Sequence, residues 1–197
     1  MNEVSDPLRT PAPRARRGGT WLQRWRVPLG FLSAILFMVF ARPRFTTLVI
    51  GAVISVLGLL VRAWASGHIR KNSALATSGP YAFTRNPLYL GSFLLGLGFT
   101  IASGYWPLGI LFALLFLGIY FPVMRVESAT LAGLFGKNFE DYARQVPLFF
   151  PRITPYRSGE PAKGFDSSLY MRYREYRAAL GLVIAWALLV LKAYYFR

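Results

Sequence analysis

The sequence predicts an all-α protein, a polytopic transmembrane helical bundle of about five membrane helices with interfacial helices on its cytoplasmic face. Three observations carry this expectation. Of 197 residues, 54% are hydrophobic, and the mean hydropathy is positive, which few soluble domains of this size reach. The apolar residues gather in five segments, near 27–41, 45–63, 88–103, 106–124 and 178–196. The 23 Lys and Arg are also unevenly spread: with the N-terminus cytoplasmic, 19 fall on that side and only Arg42, Arg44, Lys192 and Arg197 on the other. This split satisfies the positive-inside rule and puts both long polar connections on the cytoplasmic side.

Composition also narrows function. There is no cysteine, so thiolate metal sites and cysteine nucleophiles are excluded, and a single histidine builds no histidine cluster. No metal is expected. A net charge of +15 could mark a nucleic-acid binder, but positive charge flanking repeated apolar runs is what membrane orientation requires, and no nucleic acid is expected.

Taken in order, residues 1–20 are rich in Pro, Arg and Gly and read as a disordered basic tail. Residues 21–155 read as one membrane-embedded unit, 156–177 as a basic linker and 178–197 as an additional C-terminal membrane helix. The first apolar segment covers only about 22 Å of a roughly 30 Å hydrocarbon core. Arg26 and Arg42 must therefore snorkel, or the segment turns tightly into the second through Arg42-Pro43-Arg44. The third and fourth segments are joined only by Gly104 and Tyr105, so they form an antiparallel hairpin. That hairpin returns Arg125 and Glu127 to the face where Arg85 and Asn86 begin the third helix, about one helix spacing of 8 to 10 Å away. After Glu127, Leu131, Leu134 and Phe135 recur at helical spacing up to Gly136, which predicts an amphipathic helix along the interface. A second short helix is expected to end before Pro147.

The run LATSGPYAFTRNPLYLG, 75–91, carries the clearest binding chemistry. Gly79-Pro80 signals a turn, and Asn86-Pro87 a helix entry with Asn86 able to cap and Pro87 at the first helical position. First-turn N–H groups beside Arg85 favour an anionic group. Tyr81 and Tyr89 flank this loop; the Tyr89 ring either closes over a bound aromatic base or faces the lipid interface. Glu127 is either a carboxylate receiving a cofactor's hydroxyl or ammonium groups, or the partner of Arg125 or another interfacial arginine. His68 is either a general base or a satisfied interfacial group, while Arg62 and Lys71 read as interfacial anchors beside Trp64. Gly91, Gly96 and Gly98 read as packing positions.

Two blocks in order resemble the isoprenylcysteine carboxyl methyltransferase and phospholipid methyltransferase family of integral membrane enzymes. The first is GPYAFTRNPLYLG, 79–91, similar to that family's Gly-Pro-Tyr, Arg-His/Asn-Pro and Tyr-x-Gly pattern, preceded by Arg70-Lys71 and Leu75. The second comprises Glu127, Leu131, Phe135-Gly136, Tyr142, Val146-Pro147 and Pro151. The resemblance spans about 61–151. It implies an S-adenosylmethionine-dependent methyltransferase whose cofactor enters from the cytoplasm and whose lipophilic acceptor, an isoprenylcysteine-like carboxylate or a phospholipid-like amine, enters from the bilayer. Tyr81, Arg85, Asn86, Pro87, Tyr89, Glu127 and Ser128 are then expected to bind cofactor, with Arg85 and His68 as catalytic candidates. The chain departs from the family at Ser128, where a second glutamate is usual and a hydroxyl brings no charge to an ammonium. A membrane NADPH-dependent lipid or sterol-type reductase and a noncatalytic lipid-binding membrane protein are the alternative readings.

Overall fold

The computed structural model describes residues 21–70, 74–159 and 164–195, and of 21–27 only the helical backbone. The expected basic tail, the Arg26 and Lys71 side chains and Phe196 therefore lie outside the described residues. The described residues are helical, with no strand among them. Helix α1 (Trp21–Phe40) leads through a four-residue turn into α2 (Phe45–Ser66), as the Arg42-Pro43-Arg44 spacing requires. After a short 3-10 turn (Gly79–Ala82) come α3 (Pro87–Ala102) and α4 (Trp106–Leu115), which form the predicted hairpin. The chain then continues through a π-helical turn (Phe116–Tyr120) into α5 (Phe121–Phe135), and closes with α6 (Lys137–Gln145), α7 (Ser167–Arg172) and α8 (Tyr176–Tyr195).

Among the described residues three helical stretches are long and apolar enough to cross a membrane: α2, the continuous rod Trp106–Phe135, and α8; Pro28–Phe40 and α3 are shorter apolar helices. Their outward faces are apolar, with Val53, Leu60, Leu114, Leu117, Val183 and Ile184 all exposed, as a lipid solvent demands. This is an integral membrane helical bundle.

The separate interfacial helix expected after Glu127 is not formed. Residues 127–135 continue the fourth segment, so α4, the π turn and α5 make one 30-residue rod. At 1.5 Å per residue the rod measures about 45 Å, some 15 Å more than the hydrocarbon core. Starting from Trp106 at one interface, its polar last turns, Glu127 and Ser128 among them, emerge at the other. The π turn falls just before Pro122, whose missing N–H interrupts the regular ladder; Phe121 N–H bonds back to Phe116 instead.

Helices α2 and α3 pack backbone to backbone. Gly51, Ser55 and Gly58 on α2 meet Gly91, Gly98 and Ala102 on α3, and a Cβ added at Gly58 would stand 2.7 Å from the Gly91 carbonyl oxygen. Without a strong hydrophobic drive between helices in lipid, such close approach supplies the dispersion contact. Gly91 and Gly98 are thus packing positions as expected, while Gly96 makes room for the Phe112 ring. At the end away from Arg85, Arg42 N–H donates to Ser103 O (2.6 Å) and its guanidinium lies over Tyr105, tying the two hairpin turns together. Lys192 of α8 caps the C-terminus of α1 through the Met38 and Val39 carbonyls, the latter at 2.7 Å.

Candidate functional site

The loop 79–86 is built by its neighbours as much as by its own turn residues. Gly79 has a φ of +59°, which a side chain would strain, and the His68 ring packs against it. From there the chain is laced to the segment 146–156. Arg85 N–H donates to Pro147 O (3.0 Å), Arg152 N–H to Phe83 O (2.9 Å) and Tyr156 N–H to Ala82 O (2.9 Å). The Thr84 hydroxyl donates to Phe149 O (2.9 Å), and Tyr142 Oη to Tyr81 O (2.7 Å). The two sequence blocks, far apart in the chain, are therefore one hydrogen-bonded unit. Nothing in periodicity marks 146–156 as the splint of this loop, because the bonds run mostly through main-chain groups.

Asn86 corrects one expectation. It precedes α3, but its side chain does not cap the helix; Nδ2 donates to Leu148 O at 3.0 Å. The splint thus takes the amide that capping would have used, and Pro87 alone marks the helix start.

Behind this loop lies a cavity of about 200 Å³, lined by Tyr81, Arg85, Asn86, Pro87, Tyr89, Glu127 and Ser128, so all seven residues expected to bind cofactor share one wall system. Apolar Leu75, Leu131 and Phe135, the Phe139 ring and the buried Tyr142 complete it, together with Arg70. The cavity is smaller than the roughly 300–1,000 Å³ that encloses a drug-sized ligand, so a nucleoside-sized molecule would extend into its open mouth. His68 is not among the lining residues. Its Nδ1 lies 2.9 Å from Trp64 O, and its ring meets Trp64 and Phe165 edge-on.

Two polar atoms on this wall are buried without a hydrogen-bond partner among the described residues, Tyr81 Oη and Arg85 Nε. Such atoms are rare in folded proteins and mark groups that await a ligand or water. Burial and the nearby Glu127 carboxylate push ionisation of the Tyr81 hydroxyl far above the usual tyrosine range, so it remains a donor at any working pH. Burial also lowers the Arg85 pKa, although a guanidinium stays charged; its Cζ sits 6.0 Å from the centre of the Phe139 ring. The expected alternative partner of Glu127 is engaged elsewhere: Arg125 lies over the Phe121 ring at 4.9 Å, and no ion pair joins it to Glu127 among the described residues. The Glu127 carboxylate, the two arginines Arg70 and Arg85 and the Tyr81 donor hydroxyl between apolar walls suit a ligand with both anionic and cationic or hydroxyl groups.

A second, apolar groove of about 160 Å³ opens between α1, α3 and the rod, lined by Gly30, Ser33, Ser92, Gly96, Phe116 and Tyr120 among others. It meets the first cavity at one aromatic pair. Tyr89 lines the cavity, Tyr120 lines the groove, and their rings touch edge to face with centroids 6.1 Å apart.

Residues 37–138 match the phospholipid methyltransferase family. The chain is 36% identical over 171 residues to the cobalt-zinc-cadmium resistance protein CzcN of Cupriavidus metallidurans, covering 80% of this chain and 78% of that protein. It is 37% identical over 115 residues to the nickel-cobalt-cadmium resistance protein NccN of Alcaligenes xylosoxydans xylosoxydans, covering 56% of this chain and 53% of that protein. It is 28% identical over 128 residues to the protein-S-isoprenylcysteine O-methyltransferase of Schizosaccharomyces pombe, covering 62% and 54%. The chain thus spans about half the length of the last two. No solved structure matches it. The loop 79–86 and Glu127, which share the cavity, both fall within the matched residues, and the chain belongs to the phospholipid methyltransferase family of membrane proteins.

Proposed function

We propose that this chain is an S-adenosylmethionine-dependent methyltransferase that methylates a lipophilic acceptor at the cytoplasmic face of the membrane. The observation that carries the reading is the pair of buried, unpartnered atoms, Tyr81 Oη and Arg85 Nε, on the wall shared with Glu127. The distribution of Lys and Arg supports the cytoplasmic placement of that wall.

The donor set fits the cofactor. When bound, S-adenosylmethionine supplies an electrophilic methyl group on a sulfonium. Arg85 is suited to its carboxylate, Glu127 to its ammonium or ribose hydroxyls, and Tyr81 Oη donates a further hydrogen bond. Tyr89 and the apolar side of the cavity exclude water from the place where donor and acceptor meet. Transfer of that methyl to an acceptor lone pair, with the carbon–sulfur electrons left on sulfur, would need no proton donor from these residues. The protein mainly positions and dries the two partners. A carboxylate acceptor needs no base, and His68 is not among the residues lining the cavity, so this reading gives His68 no part in the transfer and keeps Arg85 for the cofactor's carboxylate. The groove between α1, α3 and the rod gives an acceptor in the bilayer a route to the Tyr89–Tyr120 boundary. The metal resistance in the names of two relatives is a property of those proteins and supplies no reaction for this chain.

Ser128 favours a second reading. It lines the cavity but brings no charge, so a chain that binds cofactor or lipid without turnover is the alternative. Calorimetric titration of the purified protein with S-adenosylmethionine tests the site: wild type binds, and Glu127→Ala weakens binding about tenfold at unchanged expression. Unaltered affinity in that variant removes Glu127 from the site, and NADPH binding in place of S-adenosylmethionine would turn the reading to a reductase.

A further inference from the structure

Arg62, at the end of α2, is more than an interfacial anchor. Its guanidinium grips Glu175 in a fork, with Nη2 2.8 Å and 2.9 Å from the two carboxylate oxygens and Nε 3.0 Å from Oε2. The same group donates from Nη1 to Ser92 Oγ at 2.5 Å and reaches Leu88 O at 3.4 Å. Both side chains are largely buried, 21% and 13% exposed. A fork of this kind fixes direction as well as distance, and a buried one holds its neighbours because either charge left alone would be costly.

Glu175 comes from outside the residues that match the family. It sits at the corner between α7 and α8, next to Arg174, whose φ of 56° is the single positive value at a non-glycine among the described residues. A backbone in that region persists where surrounding contacts hold it. The start of α7 is tied down separately, where Asp166 N–H donates to Gly67 O (3.0 Å) and Phe165 packs against His68. On the other side of Arg62 lies the first turn of α3. A Cβ at Gly91 would stand 2.5 Å from Arg62 Cγ, and Pro87, Leu88 and Tyr89 of that turn wall the cavity.

We propose that the α7–α8 corner latches the candidate site: through the Arg62–Glu175 fork it fixes the first turn of α3, making Arg62 and Glu175 positioning residues for ligand binding. The ligand part of this statement rests on the proposal that the cavity takes S-adenosylmethionine.

The test uses the full chain in detergent, with hydrogen exchange of the amides 90–94 and S-adenosylmethionine titration as its two readouts. Glu175→Gln removes the charge at constant shape and is expected to speed exchange at 90–94 and weaken the cofactor by about tenfold, whereas Glu175→Asp stays within about threefold of wild type. Faster exchange confined to α7 and α8, or unchanged affinity in folded Glu175→Gln, overturns the latch. If Glu175→Gln does not fold, Arg62→Lys, which keeps the charge and loses the fork, is read by the same two measurements. A wild type that fails to bind S-adenosylmethionine defeats the proposed function, and the exchange readout then decides the latch by itself.

Discussion

Tyr81→Phe deletes one oxygen from the cavity wall and leaves the ring in place, so its two effects carry opposite signs. In the free protein the hydroxyl is buried with no partner among the described residues, on a residue only 6% exposed. An unmatched buried hydroxyl costs about 1–3 kcal/mol, and solvent entering the cavity recovers part of that, so the variant should gain about 1 kcal/mol. For a chain of this size that is roughly 2–4 °C in Tm. In the complex the same hydroxyl donates to the ligand, and its loss should cost about 1–2 kcal/mol, or roughly 5- to 30-fold in Kd. Thermal unfolding in detergent with and without S-adenosylmethionine, combined with calorimetry, reads both effects. A variant that melts lower than wild type without ligand would show that the hydroxyl already has a partner. Unchanged affinity would show that the ligand does not use it. Either result refutes the claim that Tyr81 is a donor held ready for a ligand.

The remaining predictions concern the frame around the cavity. Gly58→Ala places a methyl 2.7 Å from both Gly91 O and Leu95 N, backbone atoms that cannot turn aside, so α2 and α3 must part. A loss of about 1–3 kcal/mol is expected, measured as a lower Tm, and an unchanged melt would contradict the close packing. Tyr142→Phe leaves the Tyr81 carbonyl without its 2.7 Å partner and should cost about 1–3 kcal/mol while weakening ligand binding; equal stability would deny α6 a part in holding the loop. Asp166, the N-cap of α7, has its carboxyl held below the ordinary aspartate range by hydrogen bonds from the Ser168 hydroxyl (2.6 Å) and N–H (2.9 Å). A depressed folded pKa means the cap is fully effective above the unfolded value of 3.8 and is lost as pH falls through the folded one. Hydrogen exchange of α7, corrected for intrinsic rates, should therefore rise across that window in wild type and stay flat in Asp166→Asn; the same slope in both would discount the cap.

The parts of this fold that were legible in the sequence are those that composition and spacing control. Apolar runs gave the membrane helices, and a two-residue link between 88–103 and 106–124 left α3 and α4 no choice but an antiparallel hairpin. That hairpin is why Glu127 and Arg85, 42 positions apart, line one cavity. Contacts made through main-chain groups or between distant charges left no such mark. The lacing of 79–86 to 146–156 uses mostly backbone donors and acceptors, which every sequence has, and it redirected Asn86 from its cap. Arg62 and Glu175 are 113 positions apart and each is unremarkable in its own surroundings, one beside an interface, the other in a basic linker. The polar residues from Arg125 onward suggested a break in the fourth helix, yet the helix simply outruns the hydrocarbon. His68 drew notice as the single histidine, and packing against Gly79 and Phe165 gives it a place beside the loop rather than in the cavity.

The central claim is methyl transfer at the cavity where Tyr81, Arg85 and Glu127 meet. Membranes carrying the protein, incubated with S-adenosylmethionine labelled in its methyl group and then extracted into organic solvent, test it most directly. Label should enter the lipid fraction or lipidated proteins with wild type, and fall at least about tenfold with Glu127→Ala at equal protein level. Label that never exceeds the level of membranes lacking the protein, in extracts rich in phospholipid and in prenylated protein alike, would contradict it.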